Sequence, residues 1–252
     1  MKKKDILFGR NSIIESINSG QNIEQVYVAK NAHGEEIQKI FSICAEKNIP
    51  VRKVPIEKIN YVLYPFYKDS KISHQGVVAF ISDYEYAKIE DIYFQKLDEG
   101  KHCTFIFLDN LTDVRNFGAI ARSALCFNID AILIPNKNSV TVTADAIKTS
   151  AGALSQLPIC RIDNPIEQLE YFIDCGFQIV GATEKSNQSY REIDWTLPSI
   201  LVLGSEGRGI SYNVIEKLTH KVTIPMDKTA FDSLNVSVSA GIILSEIFVQ
   251  NS

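Results

Sequence analysis

Apolar positions recur along this chain in two different rhythms, and the change between them divides it. In the first part Ile13, Ile14 and Ile17 recur at the spacing of one helix face over 9–17, Gly20 interrupts the pattern, and 25–29 reads as a strand. A helix over 34–46 follows, with Ile37, Ile40, Phe41 and Cys44 on one side; Pro50 ends it, and strands at 51–54 and 76–81 complete a small α/β unit. Residues 83–101 are charged and poor in strand signals, which suits an interdomain connection with room for one short helix.

Beyond that point the elements lengthen. Continuous apolar runs predict strands at 104–108, 131–134, 178–181, 200–203 and 221–224, and amphipathic stretches predict helices at 117–127, 144–150, 166–174, 212–217 and 236–249. Uninterrupted apolar strands alternating with helices indicate a parallel sheet covered on both faces. The expected organisation is a small α/β domain over 1–82, a connection over 83–101 and a larger α/β domain over 102–252. Open parallel sheets bind ligands beyond the carboxyl ends of their strands, so the loops after Leu108, Gly181, Leu203 and Ile224 are where chemistry is sought.

Composition narrows the setting. With 252 residues, 45% hydrophobic and 22% charged, the chain has material for ample cores, and no apolar run approaches the length of a membrane span. The start, Met1-Lys2-Lys3-Lys4-Asp5, lacks the apolar stretch of a secretory signal, so a cytoplasmic protein is expected. Five scattered cysteines, Cys44, Cys103, Cys126, Cys160 and Cys175, show no metal-ligand spacing and read as reduced, mostly buried thiols, with no metal site. The net charge of −4 conceals an asymmetry: residues 1–82 hold 12 Lys+Arg against 8 Asp+Glu, and the remainder holds 14 against 22. A mildly basic module beside an acidic one fits an RNA-guiding domain joined to an enzyme, although solvated helix faces produce such differences too.

Three of the four loops carry unusual residues. After Leu108, Asn116 and Gly118 open a helix with Arg122 about one turn further on, among Ile120, Ala121, Ala124 and Leu125; an arginine buried there needs an anionic partner. After Leu203 comes Gly204-Ser205-Glu206-Gly207-Arg208-Gly209, whose glycines allow close backbone approach to a ligand. Its spacing is neither the dinucleotide fingerprint nor a Walker loop. After Ile224, a long polar loop leads to Ser233 or Asn235 as the cap of a helix whose start also holds Ser237 and Ser239. Capping explains one of these polar residues and leaves the others over.

Taken together and in order, Asn116-x-Gly118-x-x-x-Arg122, Gly204-Ser205-Glu206-Gly207 and Ser233-Leu234-Asn235-Val236-Ser237 closely resemble the three motifs of the SpoU branch of the SPOUT methyltransferases, over about 103–250. The first part is similar to the ribosomal-protein-like RNA-binding domain that many of these enzymes carry, with Phe8-Gly9-Arg10-Asn11 and His74-Gln75-Gly76 as signatures. The two-domain arrangement resembles most the enzymes that methylate a guanosine ribose in 23S ribosomal RNA.

The resemblance implies a C-terminal trefoil knot, a homodimer, S-adenosylmethionine as methyl donor and an RNA ribose 2′-hydroxyl as acceptor. It also implies that Thr183, Leu203, Gly204, Ile224, Met226 and Leu234 contact the cofactor, while Asn116, Arg122, Glu206, Ser233 and Asn235 line the ribose and its phosphate. The chain departs from the family pattern at Val114, where a proline is common, and in the bulky acidic loop 227–232 with Phe231. A guanidinium stays protonated, so Arg122 is expected to hold phosphate and stabilise developing alkoxide rather than accept a proton. The rival expectations are a transfer-RNA ribose methyltransferase, a non-catalytic RNA-binding protein, and a nucleotide-dependent oxidoreductase that the missing fingerprint disfavours.

Overall fold

The computed structural model describes residues 6–47, 49–66, 73–81, 84–227, 229 and 233–252. The chain forms two compact units, Met1–Glu85 and Tyr86–Ser252. Among the described residues no helix is long and apolar enough to cross a membrane.

Unit 1 runs β1 (Ile6–Phe8), α1 (Arg10–Asn18), β2 (Ile23–Ala29), α2 (Glu35–Glu46), β3 (Val51–Val54), α3 (Ile56–Leu63) and β4 (Val77–Ile81). Its sheet order is β1-β4-β2-β3, with β4 antiparallel to both neighbours and β3 parallel to β2. Alternation along the strands sends side chains to two separate cores. Val26, Val28, Val77 and Ala79 meet Ile13 and Ile17 of α1 and Ile37 and Ile40 of α2. Tyr27, Val78 and Phe80 meet Ile59 and Leu63 of α3 on the other face. Strand β1 and helix α3 are additions to the sequence reading. Three residues are too few for a periodic signal, and Ile56, Ile59 and Leu63 form a single short stripe between Pro55 and Pro65.

Unit 2 begins with α4 (Ile89–Asp98), β5 (Thr104–Leu108), α5 (Val114–Cys126), β6 (Ala131–Pro135), α6 (Ala144–Thr149), β7 (Ile159–Ile162) and α7 (Pro165–Asp174). It continues with β8 (Gln178–Ala182), β9 (Ser199–Leu203), α8 (Tyr212–Ile215), β10 (His220–Val222) and α9 (Val236–Gln250). All strands pair in parallel, in the order β10-β8-β9-β5-β6-β7. The α/β class read from continuous apolar strands holds: β5, β6 and β9 are buried at every position. The edge strand β7 escapes the sequence reading because Arg161 interrupts its four residues. Helix α4, inside the stretch 83–101, packs Ile89, Ile92 and Tyr93 on the same core as Phe105, Phe172 and Phe177. Tyr93 meets the Phe172 and Phe177 rings edge-on at 5.7 and 5.5 Å. Charge along that segment hides this apolar stripe.

Three of the five cysteines are buried, and burial pushes the thiols of Cys103 and Cys160 up to about 12 and that of Cys44 to about 11. Cys175 is half-buried and Cys126 exposed. No cluster of three or more His, Cys, Asp or Glu able to hold a metal occurs among the described residues.

Candidate active site

Parallel strands β5, β8, β9 and β10 end on the same side, and their following loops converge there. Backbone pairing carries β5 one residue beyond its last rung: Asp109 N–H donates to Leu203 O at 2.8 Å. The buried Asp109 carboxylate then accepts the Ser211 N–H at 2.5 Å and the Asn110 amide at 2.7 Å, tying the start of one loop to the end of another.

The loop after β9 folds on itself. Ser205 N–H donates to Gly209 O at 3.1 Å, and Gly209 N–H to Ser205 O at 2.9 Å. A Cβ on Gly204 would lie 2.1 Å from the Gly209 carbonyl carbon, so the loop closes on its own start at a distance only glycine permits. The Gly-rich spacing thus serves loop closure and leaves Glu206 at the loop's outer end.

Helix α5 starts at Val114, earlier than the Asn-x-Gly turn suggests, because the Asp113 side chain caps it by accepting from Arg115 N–H at 2.7 Å and Asn116 N–H at 3.0 Å. Those two amides hold the Asp113 carboxyl below its ordinary range. Val114, where relatives often have proline, occupies a first-turn position whose N–H has no partner within the helix, so the departure costs the fold little. Gly118 lies within the helix instead of opening it. A Cβ there would come within 2.9 Å of Ser150 N and Thr149 Cγ2, so this glycine lets α5 and α6 close together.

From the first turn of α5 the buried Asn116 reaches the Gly-rich loop: its Nδ2 donates to Glu206 Oε1 at 2.9 Å. Asn235 completes the cluster, its Nδ2 lying 2.6 Å from Glu206 Oε1 and 3.1 Å from Asn116 Oδ1. The other end of the same amide caps α9, where Asn235 Oδ1 accepts from Ser237 N–H at 2.8 Å and Ser237 Oγ at 2.6 Å. Asn235, not Ser233, is therefore the cap. One residue from each of the three motifs thus meets on a single carboxylate oxygen, over sequence separations of 90 and 29.

Beside this cluster opens a cavity of about 400 Å³, in the size range of small-molecule sites. Thr183, Leu203, Gly204, Ile224, Met226 and Leu234 all line it, as do Glu206, Ser233 and Asn235. Thr183 is held by its N–H to Val222 O at 2.8 Å, across the β8 and β10 ends. The lining also includes Lys185, which the sequence reading passed over, and Arg208 and Ser239, to which it gave no role. Arg208 stands inside the Gly-rich motif, where a cation two residues from Glu206 was the available signal.

Asn116, expected at the ribose and not at the cofactor, meets the cavity's lining through Glu206. One expectation changes. Arg122, expected to be buried with an anionic partner, is exposed and makes no hydrogen bond or ion pair among the described residues. Six residues separate it from Asn116, which at 3.6 per turn puts the two side chains on different sides of α5. Apolar neighbours made the helix look buried all round, yet Arg122 falls outside the stripe formed by Phe117, Ile120, Ala121 and Ala124. Phe231 and most of the acidic loop around it lie outside the described residues.

Comparison with known proteins gives this geometry a family. The SpoU rRNA methylase family model matches residues 104–245, which hold all three motifs. The chain belongs to that family. A second model, RNA 2′-O ribose methyltransferase substrate binding, matches residues 6–87. A TrmH family tRNA/rRNA methyltransferase of Staphylococcus saprophyticus is 34% identical over 243 residues, covering 96% of this chain and 94% of its own length. YacO of Bacillus subtilis, named for the same family, is 30% identical and covers 98% of this chain and 96% of its own length. Among solved structures, the SpoU methyltransferase AviRb of Streptomyces viridochromogenes, in complex with AdoMet, aligns with a TM-score of 0.59 at 20% identity, over 98% of this chain and 90% of that one. That alignment draws on both units. Membership makes the chain an S-adenosylmethionine-dependent RNA methyltransferase.

Proposed function

We propose that this enzyme methylates a ribose 2′-hydroxyl of RNA, a guanosine of 23S ribosomal RNA, working as a homodimer in the cytoplasm. The observation that carries the reading is the meeting of Asn116, Glu206 and Asn235 on one oxygen at the mouth of a cavity of cofactor size. S-adenosylmethionine fits that cavity's chemistry. Leu203, Ile224, Met226 and Leu234 offer apolar surface to a nucleoside, and Thr183 and Gly204 bring hydroxyl and backbone groups near it. When bound, the cofactor supplies an activated methyl on a sulfonium leaving group.

The chain's own task is then to place an alcohol oxygen in line, remove water and compensate charge as the hydroxyl loses its proton. Glu206 Oε1 is occupied by two amides, which fixes the carboxylate plane and leaves Oε2 to accept from a ribose hydroxyl. Ser233 stands beside Asn235 as a second polar contact for the sugar. Arg122 holds the ribose phosphate and stabilises the developing alkoxide.

Because Arg122 lies on a different side of α5 from Asn116, the homodimer is what brings it to a ribose, with a second copy supplying the cavity. Helix α9 supports a dimer: it is strongly apolar, and beyond its buried Ala240, Ile243, Leu244 and Ile247 it leaves Val238, Phe248 and Val249 exposed. The trefoil threading of the C-terminal segment belongs to the same reading and rests on family membership.

Transfer of labelled methyl from S-adenosylmethionine to ribosomal and transfer RNA lacking their ribose marks tests the assignment. Label in a large-subunit guanosine is the expected result. Label in transfer RNA alone would move the enzyme to the second reading, to which the relatives' joint tRNA/rRNA naming lends support. No label in either pool, with cofactor bound, would sink both.

A further inference from the structure

Unit 1 matches a substrate-binding family, yet nothing assigns the residues that touch RNA. Single-stranded RNA is commonly read by aromatic rings on an open sheet. That route is closed here. The sheet's own aromatic pair, Tyr27 and Phe80 at 4.9 Å, packs under α3 with Ile59 and Leu63, and α1 and α2 cover the opposite face.

The two sequence signatures are also engaged internally. Arg10 N–H donates to Gln75 Oε1 at 3.0 Å, its Nε to Gln75 O at 3.2 Å, and its guanidinium pairs with Glu36 at 3.1 Å. Gly76 N–H donates to His74 Nδ1 at 3.1 Å, which leaves the ring proton on Nε2 to donate to Asn60 Oδ1 at 2.9 Å. His74 thereby braces α3, while Arg10 ties the start of α1 to Gln75 and to α2.

What the bracing presents is the outer side of α3. Tyr61 is 73% exposed, unusual for a large ring on a helix that buries its other side, and Lys58 Nζ lies 5.9 Å from the ring centroid. With Asn60 Oδ1 taken by His74, the Asn60 Nδ2 hydrogens have no partner among the described residues. The register adds a second cation. Arg52 pairs with Tyr27 on β2 and so sits on the sheet side that α3 covers, whereas Lys53 turns to the other side, over Phe41. Glu57 is the one carboxylate on the helix. An exposed ring with one cation beside it, flanked by an amide donor on the same helix and a second cation on the neighbouring strand, suits an unpaired base and its phosphates.

We infer that the exposed flank of α3, through Tyr61 and Lys58 with Asn60 and the β3 residue Arg52 at its margin, is where unit 1 holds a single-stranded segment of the RNA substrate, Tyr61 stacking on a base. The inference rests on the RNA methyltransferase reading above. A duplex offers no free base face, so the surface discriminates against it.

The test uses the full chain and two labelled RNAs, a short unstructured strand and the same strand paired in a duplex, with fluorescence anisotropy over a salt series. Tyr61→Ala is expected to weaken single-strand binding about tenfold and duplex binding little, while Tyr61→Phe binds as the natural chain does. Arg52→Glu with Lys58→Glu is expected to weaken binding and flatten its salt dependence. Cofactor affinity, read by calorimetry, and thermal stability should be unchanged in all of them. Normal single-strand binding by Tyr61→Ala, or equal losses for strand and duplex, would overturn the inference and leave the catalytic assignment intact. If the natural chain binds S-adenosylmethionine but neither RNA, both this surface and the RNA substrate fall.

Discussion

Asn235 divides one side chain between two tasks, its oxygen capping α9 and its nitrogen holding Glu206. Replacement by alanine should therefore cost stability and chemistry together. Loss of a cap is worth about 1 kcal/mol, and freeing Glu206 should lower methyl transfer by about 100-fold, on the scale of losing one positioned catalytic contact. Asn235→Asp keeps the capping oxygen but sets a second carboxylate against Glu206; labelled-methyl transfer should fall, and the melting temperature should rise again at low pH, where the pair can share a proton. A normal rate for Asn235→Asp would show that the amide bond to Glu206 is dispensable. His74 offers a different test. Burial lowers its pKa from the ordinary 6.5, so the unfolded chain takes up the proton first. Stability is present above about pH 6.5 and should decline as pH falls below it. His74→Asn should reduce that decline in thermal melts at pH 5 to 7, and an unchanged pH profile would remove His74 from the bracing of α3.

Helices and strands show best what sequence carries and what it omits. The continuous runs of β5, β6 and β9 were legible because a parallel strand buried on both faces has no polar alternation to obscure it. Strand β7 was obscured by a single Arg161 and helix α3 by its brevity; the short helix allowed within 83–101 is α4, whose apolar stripe was hidden by charge. The three motifs were legible as residues and as an ordered set, whereas their meeting on Glu206 Oε1 was not, because nothing local specifies contacts 90 residues apart. The exposure of Arg122 was missed for a related reason: helical periodicity places a side chain on a face, and only packing against α6 and α9 decides which faces are covered. Gly118 carries an element-scale prediction in which two effects oppose. Alanine should favour a helix by about 1 kcal/mol, but its Cβ would meet the α6 backbone at 2.9 Å, an overpacking that costs about 1–3 kcal/mol. Net destabilisation of Gly118→Ala in denaturant melts is expected, and stabilisation would mean that α6 yields.

At the scale of the molecule, a dimer is the main expectation. Phe248 packs its ring 6.0 Å from Phe127 and is still 43% exposed, and Val249 beside it is 65% exposed. Val238→Glu with Val249→Glu should shift the chain to monomer in sedimentation equilibrium and abolish transfer. A monomeric natural chain with full activity would defeat the reading of Arg122 as acting beside a second copy. Mixing inactive Arg122→Ala and Asn235→Asp chains should restore part of the rate if each site draws on two copies, and no recovery would place both residues in one chain's reaction.

Helix α4 has a practical consequence for anyone dissecting this enzyme. A catalytic fragment beginning at His102, where the strand pattern starts, would strip Ile89, Ile92 and Tyr93 from the rings of Phe105, Phe172 and Phe177 and remove the Tyr86 hydroxyl that accepts from Arg161 and Val142. Such a fragment should precipitate on expression, whereas one beginning at Tyr86 should stay in solution and still take up the methyl donor. The place to cut lies sixteen residues upstream of where the grammar of the sequence changes.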